Sequence, residues 1–391
     1  MRIAYVTETF PPEINGVSLT AERTVRHLRG AGHAVQLVRP RQAGESARRN
    51  AEEWRCGGGP IPMYPELRYG WATPAALRAL WQEGDALPDL VHVATPGPLG
   101  WAALRAARAQ GLPTSADFRT NFHAYCGHYG LGWLEPVVLS YLRRLHAMAD
   151  LSFVPTPELA RQLATHGFER LQVLGRGVDA RRFAPARSDP WLRREWRAVG
   201  SEHRVLLHVG RLAPEKNAGL ALQTFERLAA RRPGLRMVVV GDGPMRARLE
   251  RAHPAARFVG MQTGIELARH YASADVFLFP SLTDTFGNVT LEALASGLAV
   301  AAFDTGAAGQ HVRDGVNGCL APPCEGLDAA DAFLEAATRA LDLSAPDGLL
   351  RREARRAALE ADWEGVQRRF EQQLLRLAAA DRTLPRYAAM A

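Results

Sequence analysis

Short apolar runs alternate with amphipathic stretches from one end of the chain to the other. Runs without a polar face are what strands buried on both sides of a parallel sheet require, and the stretches between them read as the helices that cover those faces. In the first half the pattern predicts strands at RIAYVTE, AVQLVRP, LVHVAT, TSADF and LSFVPT, with helices between them that include 19–31 and 102–110. A second series follows at RVLLHVG, RMVVVGD, ARFVG, VFLFPS and LAVAAFD. The fold class is therefore α/β, with two doubly wound parallel-sheet domains in tandem. Near RGVDARRFAP a strand gives way to a polar, proline-containing segment, which sets the domains at 1–182 and 183–364. In WEGVQRRFEQQLLRLA, residues Trp363, Val366, Phe370, Leu374 and Leu377 share one helical face, the spacing of a core-packing helix.

Composition adds an address and an anomaly. With 391 residues, 47% of them hydrophobic, the chain can build two ordinary cores. Cys56, Cys126, Cys319 and Cys324 form no CxxC pair and have no metal-ligand spacing. The N-terminal run resembles no secretion signal, and no stretch is long and apolar enough to span a bilayer, so the expectation is a cytoplasmic protein. The net charge of +7 is concentrated early: residues 1–182 carry 21 Arg against 16 acids. That excess suits an anionic surface or substrate, or simply a solvated basic face. Nucleic acid is excluded as a partner, because no aromatic and basic residues interleave into a stacking platform.

The anomaly is Lys216, the single lysine beside 47 arginines. A composition that exchanges Lys for Arg wherever charge alone is needed leaves an ammonium either by drift or where a compact point charge is required and a fork does not fit.

Ligands of doubly wound folds bind beyond the carboxyl ends of strands, so the loops there carry the chemistry. After the first strand, Gly16 precedes a helix for which Ser18 or Thr20 is the expected N-cap; a lone glycine suits a phosphate contact or a plain turn. After RVLLHV, the segment GRLAPEKN places Gly210, Arg211 and Lys216 beside a helix start that Asn217 can cap. This arrangement fits a diphosphate, with a solvated charged loop as the alternative. After VFLFPS, Asp284 and Glu292 stand eight positions apart with Phe286, Gly287 and Asn288 between them. Two such carboxylates accept hydrogen bonds from several hydroxyls of one sugar, or form an exposed acid pair.

Taken together, GRLAPEKN, DTFGNVTLEALASG, ETFPPEINGVS, TNFHAY and RGVDARRF, in that arrangement along nearly the whole chain, resemble the retaining GT-B glycosyltransferases of the large family with a Glu, seven residues and a second Glu. The resemblance implies two facing Rossmann-like domains with an interdomain cleft and a C-terminal helix, 365–391, that crosses back to the first domain. It implies a nucleotide-sugar donor, GDP-mannose first and a UDP-hexose next. Arg211 and Lys216 would hold its diphosphate, Glu292 its ribose, and Asp284 with the backbone at Phe286, Gly287 and Asn288 its sugar. Gly16 would approach from the other domain, Gly210 would allow close approach, and His123 would stand beside the transferred sugar. Asp284 departs from the family's usual Glu, which shortens its reach by about 1.5 Å.

The same resemblance implies front-face substitution with retention and no metal or other cofactor, the cations and helix termini standing in for one. It implies a membrane-lipid acceptor met at the inner face of the cytoplasmic membrane. Arg23, Arg26 and Arg29 on the first helix and Arg143, Arg144 and His146 in VVLSYLRRLHAMA suit docking to an anionic bilayer. The alternatives are a soluble saccharide acceptor, or a nucleotide-sugar-binding protein without catalysis.

Overall fold

The computed structural model describes residues 1–13, 15–61, 64–83, 87–119, 135–281, 286–323, 327–344 and 348–383. These divide into two compact units. The first takes the described residues up to Leu174 together with those from Gln367 onward; the second runs from Gly175 to Val366.

The first unit opens with β1 (Arg2–Val6), α1 (Gly16–Gly30), β2 (Ala34–Pro40), β3 (Glu53–Ile61), β4 (Tyr64–Trp71) and α2 (Pro74–Gln82). It continues with β5 (Leu90–Val93), α3 (Pro98–Ala109), β6 (Thr114–Asp117), α4 (Glu135–Ala147), β7 (Leu151–Val154), α5 (Pro157–Thr165) and β8 (Leu171–Val173). Its described strands form one sheet in the order β4-β3-β2-β1-β5-β6-β7-β8, parallel except for the β3/β4 pair. Strand β1 shows why its sequence is apolar throughout. Ile3 and Tyr5 enter one core layer, Ala4 and Val6 the opposite one, and all four are fully buried.

The second unit holds β9 (Arg204–Val209), β10 (Leu235–Val240), β11 (Arg257–Gly260), β12 (Val276–Phe279), β13 (Ala299–Phe303) and β14 (Gly318–Ala321). Its helices are α6 (Pro190–Glu195), α7 (Ala218–Ala229), α8 (Arg246–Ala252), α9 (Gly264–Ala272), α10 (Asn288–Ala295), α11 (Gly306–His311), α12 (Leu327–Leu343) and α13 (Leu349–Glu360). The strand order β11-β10-β9-β12-β13-β14 reverses direction between β9 and β12. That is the topological switch point where doubly wound sheets bind ligands.

A last helix, α14 (Trp363–Thr383), lays Phe370, Leu374 and Ala378 on the Ile3/Tyr5 layer of the first unit. The predicted stripe is thus a core face, although Trp363 and Leu377 are only half-buried.

Each predicted strand is present, ending one or two residues earlier than read where it runs into a loop. Four strands among the described residues are additional. β3 escapes the alternation test because GGGP interrupts it, β4 pairs with that glycine run, and β8 and β14 are three and four residues long.

Candidate active site

The predicted loops after β9 and β12 stand at the carboxyl edges of neighbouring strands and are joined. Ser281 Oγ donates to the Glu215 carbonyl at 3.2 Å, and Asn217 Nδ2 donates to the Pro280 carbonyl at 3.4 Å. Asn217 does occupy the position before α7, in a left-handed conformation, but its amide serves that cross-loop contact and forms no cap bond. A helix start without a side-chain cap keeps its backbone N–H groups for a ligand.

The β9 loop is also fixed from its other side. Gly210 N–H donates to Val240 O (3.0 Å), Leu212 N–H to Asp242 O (2.9 Å) and Met245 N–H to Leu212 O (2.9 Å). A Cβ at Gly241 would lie 1.9 Å from the Gly210 carbonyl oxygen, so only glycine allows the two loops to approach this closely. Arg211 and Lys216 are half-buried on this braced segment. Beneath it the buried His208 donates Nδ1–H to Leu278 O at 3.0 Å, tying β9 to β12.

Beyond β12, Phe286 is buried with its ring 5.9 Å from that of His311, and its carbonyl accepts from Ala307 N–H at 2.6 Å. Gly287, at φ 86°, turns the chain into α10, a conformation that L side chains rarely adopt. Asn288 begins the helix, and its Oδ1 is buried without a partner among the described residues, the kind of polar atom a ligand satisfies. Glu292 is half-buried one turn on. The buried Tyr271 phenol is pushed well above its usual 10, by burial first and then by the Glu292 carboxylate. A neutral hydroxyl therefore stays beside that carboxylate. His123 and Asp284 lie outside the described residues.

In the first unit Gly16 is the first residue of α1, and the N-cap is Asn15, whose Oδ1 accepts from Ser18 N–H at 2.8 Å. Ser18 and Thr20 are not the cap; their hydroxyls donate to Glu13 O and Gly16 O, both at 2.6 Å. Glu13 organises the loop: its carboxylate accepts from Thr9 Oγ1 and from Gln42 Nε2 (2.6 Å), while Asn15 Nδ2 donates to Thr9 Oγ1 (2.8 Å).

Residues 203–342 match the family described as Glycosyl transferases group 1, and residues 14–182 match Glycosyltransferase Family 4. A GDP-mannose-dependent alpha-mannosyltransferase of Mycobacterium tuberculosis is 38% identical over 327 residues, covering 82% of this chain and 84% of the relative. The chain belongs to glycosyltransferase family 4. This transferase is also 26% identical, over 88% of its length and 80% of the relative's, to the alpha-monoglucosyldiacylglycerol synthase of Streptococcus pneumoniae. Its fold matches sucrose-phosphate synthase of Thermosynechococcus elongatus with a TM-score of 0.79 at 18% identity, covering 97% of this chain and all of that one. HepE of Anabaena, solved with UDP-glucose, gives a TM-score of 0.70 at 17% identity, covering 96% and 99%. The transferase is a hexosyl-transferring enzyme with two Rossmann-like units of GT-B type.

Two buried charged groups at the carboxyl edge of the transferase's first sheet went unread in the sequence. Glu8 follows β1; its Oε1 accepts from Leu99 N–H at 3.0 Å, at the start of α3. Burial pushes its carboxyl up to about 7, against the backbone N–H groups of Leu99, Gly70 and Gly97, which favour the anion. At the end of β6, Asp117 pairs with Arg119 and accepts from His92 Nε2 at 3.2 Å, and Ser115 Oγ donates to His92 Nδ1 at 2.9 Å. Burial alone would raise the Asp117 pKa; the Arg119 guanidinium and His92 outweigh it and hold the carboxyl well below the usual range. An acid two residues before an arginine at a strand end was the available signal.

Proposed function

We propose that this transferase moves mannose from GDP-mannose to a hydroxyl of a membrane lipid, with retention of configuration and without a metal. The observation that carries the reading is the joined pair of loops at the β9/β12 switch point, which presents Arg211, Lys216, Glu292 and two uncapped helix starts on one edge of one sheet. The relatives support the donor and the acceptor class: 38% identity to a GDP-mannose-dependent mannosyltransferase, and similarity to a glucosyldiacylglycerol synthase.

Chemically, the sugar–phosphate bond loosens to an oxocarbenium-like state while the acceptor hydroxyl attacks from the same face. Its proton passes to the departing phosphate oxygen. Negative charge grows on the diphosphate, so the Arg211 guanidinium and the Lys216 ammonium act where charge develops. The N-termini of α7 and α10 add backbone N–H donors and the positive ends of their dipoles. Those groups supply the neutralisation that a divalent cation gives elsewhere, so turnover persists in EDTA. Glu292 binds ribose hydroxyls, and Asp284, with the backbone at Phe286 and Gly287, holds the sugar. No helix among the described residues is long and apolar enough to cross a bilayer; the enzyme meets its acceptor as a peripheral protein at the cytoplasmic face.

The deciding experiment incubates purified protein with GDP-mannose or UDP-glucose and a membrane-lipid extract, with and without EDTA. The expected product is an α-mannosyl lipid formed equally in both, its anomeric configuration read by NMR. Transfer only to water-soluble saccharides, or only in the presence of metal, would refute the reading.

A further inference from the structure

The amino edge of the first sheet, at the opposite strand ends from the loop that presents Gly16, holds a cleft of about 630 Å³. Its origin lies in small side chains. Arg2 and Ala34 are register partners at the starts of β1 and β2, and Ala4 follows on the same strand face as Arg2. Further along that face Val6 packs with Leu77, Leu80 and Trp81 of α2 in one core layer. Glu83, the residue that ends α2, lines the cleft, and Ala4, Ala34 and Ala51 are too small to fill it.

The polar groups around the cleft are of two kinds. Arg2 and Arg29 bring guanidinium groups that no carboxylate neutralises among the described residues. Arg2 forms no ion pair there, and Arg29 donates to the carbonyls of Val35 (3.1 Å) and Glu52 (3.3 Å). Arg26, earlier on α1, is by contrast paired with Glu22. A guanidinium carries five N–H donors, so both cleft arginines keep donors for an anion. His33 stands with them, its side chain only 8% exposed. Its Nε2 lies 2.9 Å from Glu371 Oε1 of α14, and its Nδ1 is buried without a partner.

The second kind is acidic. Glu52 and Glu83 line the same cleft, bound through one oxygen each to Arg48 (2.7 Å) and Arg49 (2.5 Å). Their other oxygens have no hydrogen bond among the described residues and can accept from hydroxyls.

A guanidinium fork matches phosphate oxygens, and a carboxylate oxygen matches a hydroxyl. A bare anion would gain the arginines but leave two acids facing it, whereas a phosphate ester of a polyol satisfies both sets. The volume is that of a small-molecule site. We propose that this cleft is a second ligand site of the transferase, one for a hexose phosphate. Its phosphate lies on Arg2 and Arg29, its hydroxyls on Glu52 and Glu83, and His33 Nδ1 gains a partner from the ligand. The site belongs to the first unit alone and is independent of the donor and acceptor assigned above.

The test uses the full chain with its donor site filled by saturating GDP and UDP. Mannose 6-phosphate, glucose 6-phosphate, inorganic phosphate and mannose are titrated into it by calorimetry. At least one hexose phosphate binds, tenfold or more tightly than inorganic phosphate, and mannose does not bind. Arg2→Gln, at a side chain with no ion pair to lose, weakens that binding about tenfold and leaves the GDP-induced thermal shift unchanged. In histidine-labelled wild type the same ligand moves the Nδ1 NMR signal of His33, a readout that needs no arginine variant to fold. The proposal is overturned by any one of four results: no binding of either hexose phosphate, equal affinity for inorganic phosphate, undiminished binding by a folded Arg2→Gln protein, or a His33 signal that stays in place.

Discussion

Ser281 and Glu215, 66 positions apart, are joined by a hydrogen bond from the serine Oγ to the glutamate backbone carbonyl at 3.2 Å. The bond makes the β9 loop, with Arg211 and Lys216, and the β12 loop, leading to Glu292, one mechanical piece. Removing the hydroxyl costs about 1 kcal/mol of loop order. Ser281→Ala therefore weakens GDP binding about fivefold in calorimetry, while its thermal stability without nucleotide changes little. An unchanged GDP affinity would show that the loops hold their places independently.

On the proposed mechanism, Lys216 acts where charge develops rather than where substrate rests. Lys216→Ala should lower kcat by at least about a hundredfold, about 3 kcal/mol of transition-state stabilisation, with a much smaller change in donor Kd. Lys216→Arg restores charge but not compactness, so it recovers only part of the rate. Equal losses in kcat and donor affinity would instead assign Lys216 to ground-state binding.

Glu8 gives the first unit an acid-favoured component of stability. Its carboxyl sits at about 7 in the folded chain against 4.5 as the reference value, so the folded state holds the proton more tightly. The corresponding stabilisation, about 3 kcal/mol, is complete below pH 4.5 and is lost as pH rises through about 7. Glu8→Gln should flatten the denaturation profile across that window, measured by urea unfolding at a series of pH values. An unaltered slope would mean that the three backbone N–H groups keep Glu8 ionised throughout.

Glu371 runs the other way. It lies on α14 between His27 and His33, each 2.9 Å from one of its oxygens. Burial raises its pKa, but the hydrogen bonds from His33 and His27 outweigh that and leave it below 4.5. Its contribution is therefore present above the usual carboxylate range and disappears as pH falls through the lowered folded value. Glu371→Gln should lower Tm by a few degrees near pH 7 and by less at pH 4. A uniform loss at both would point to packing alone.

How much of this was legible beforehand depends on periodicity and chemistry. The parallel strands announced themselves because both faces are buried, as Ile3, Ala4, Tyr5 and Val6 show. Strand β3 did not, since Gly57, Gly58 and Gly59 carry no side chains to alternate. At the site, Arg211, Lys216, Gly287 and Glu292 stand where strand ends place ligands, and that followed from topology plus residue type. The N-cap of α1 was misread because Ser and Thr outshone Asn15, whose neighbour Gly16 was the better cue. Glu8 escaped because nothing local marks a carboxylate that meets its partners, Leu99 and Gly97, about ninety residues later.

The helix that closes the first unit follows the whole of the second unit in sequence. Phe370, Leu374 and Ala378 wall a sheet whose opening strand was made more than 350 residues earlier. As the polypeptide leaves the ribosome, the second unit can complete its core while the first still shows a bare apolar face. Order of synthesis and order of completion are thus reversed, and a nascent enzyme that still lacks α14 is a client for chaperones rather than a working catalyst.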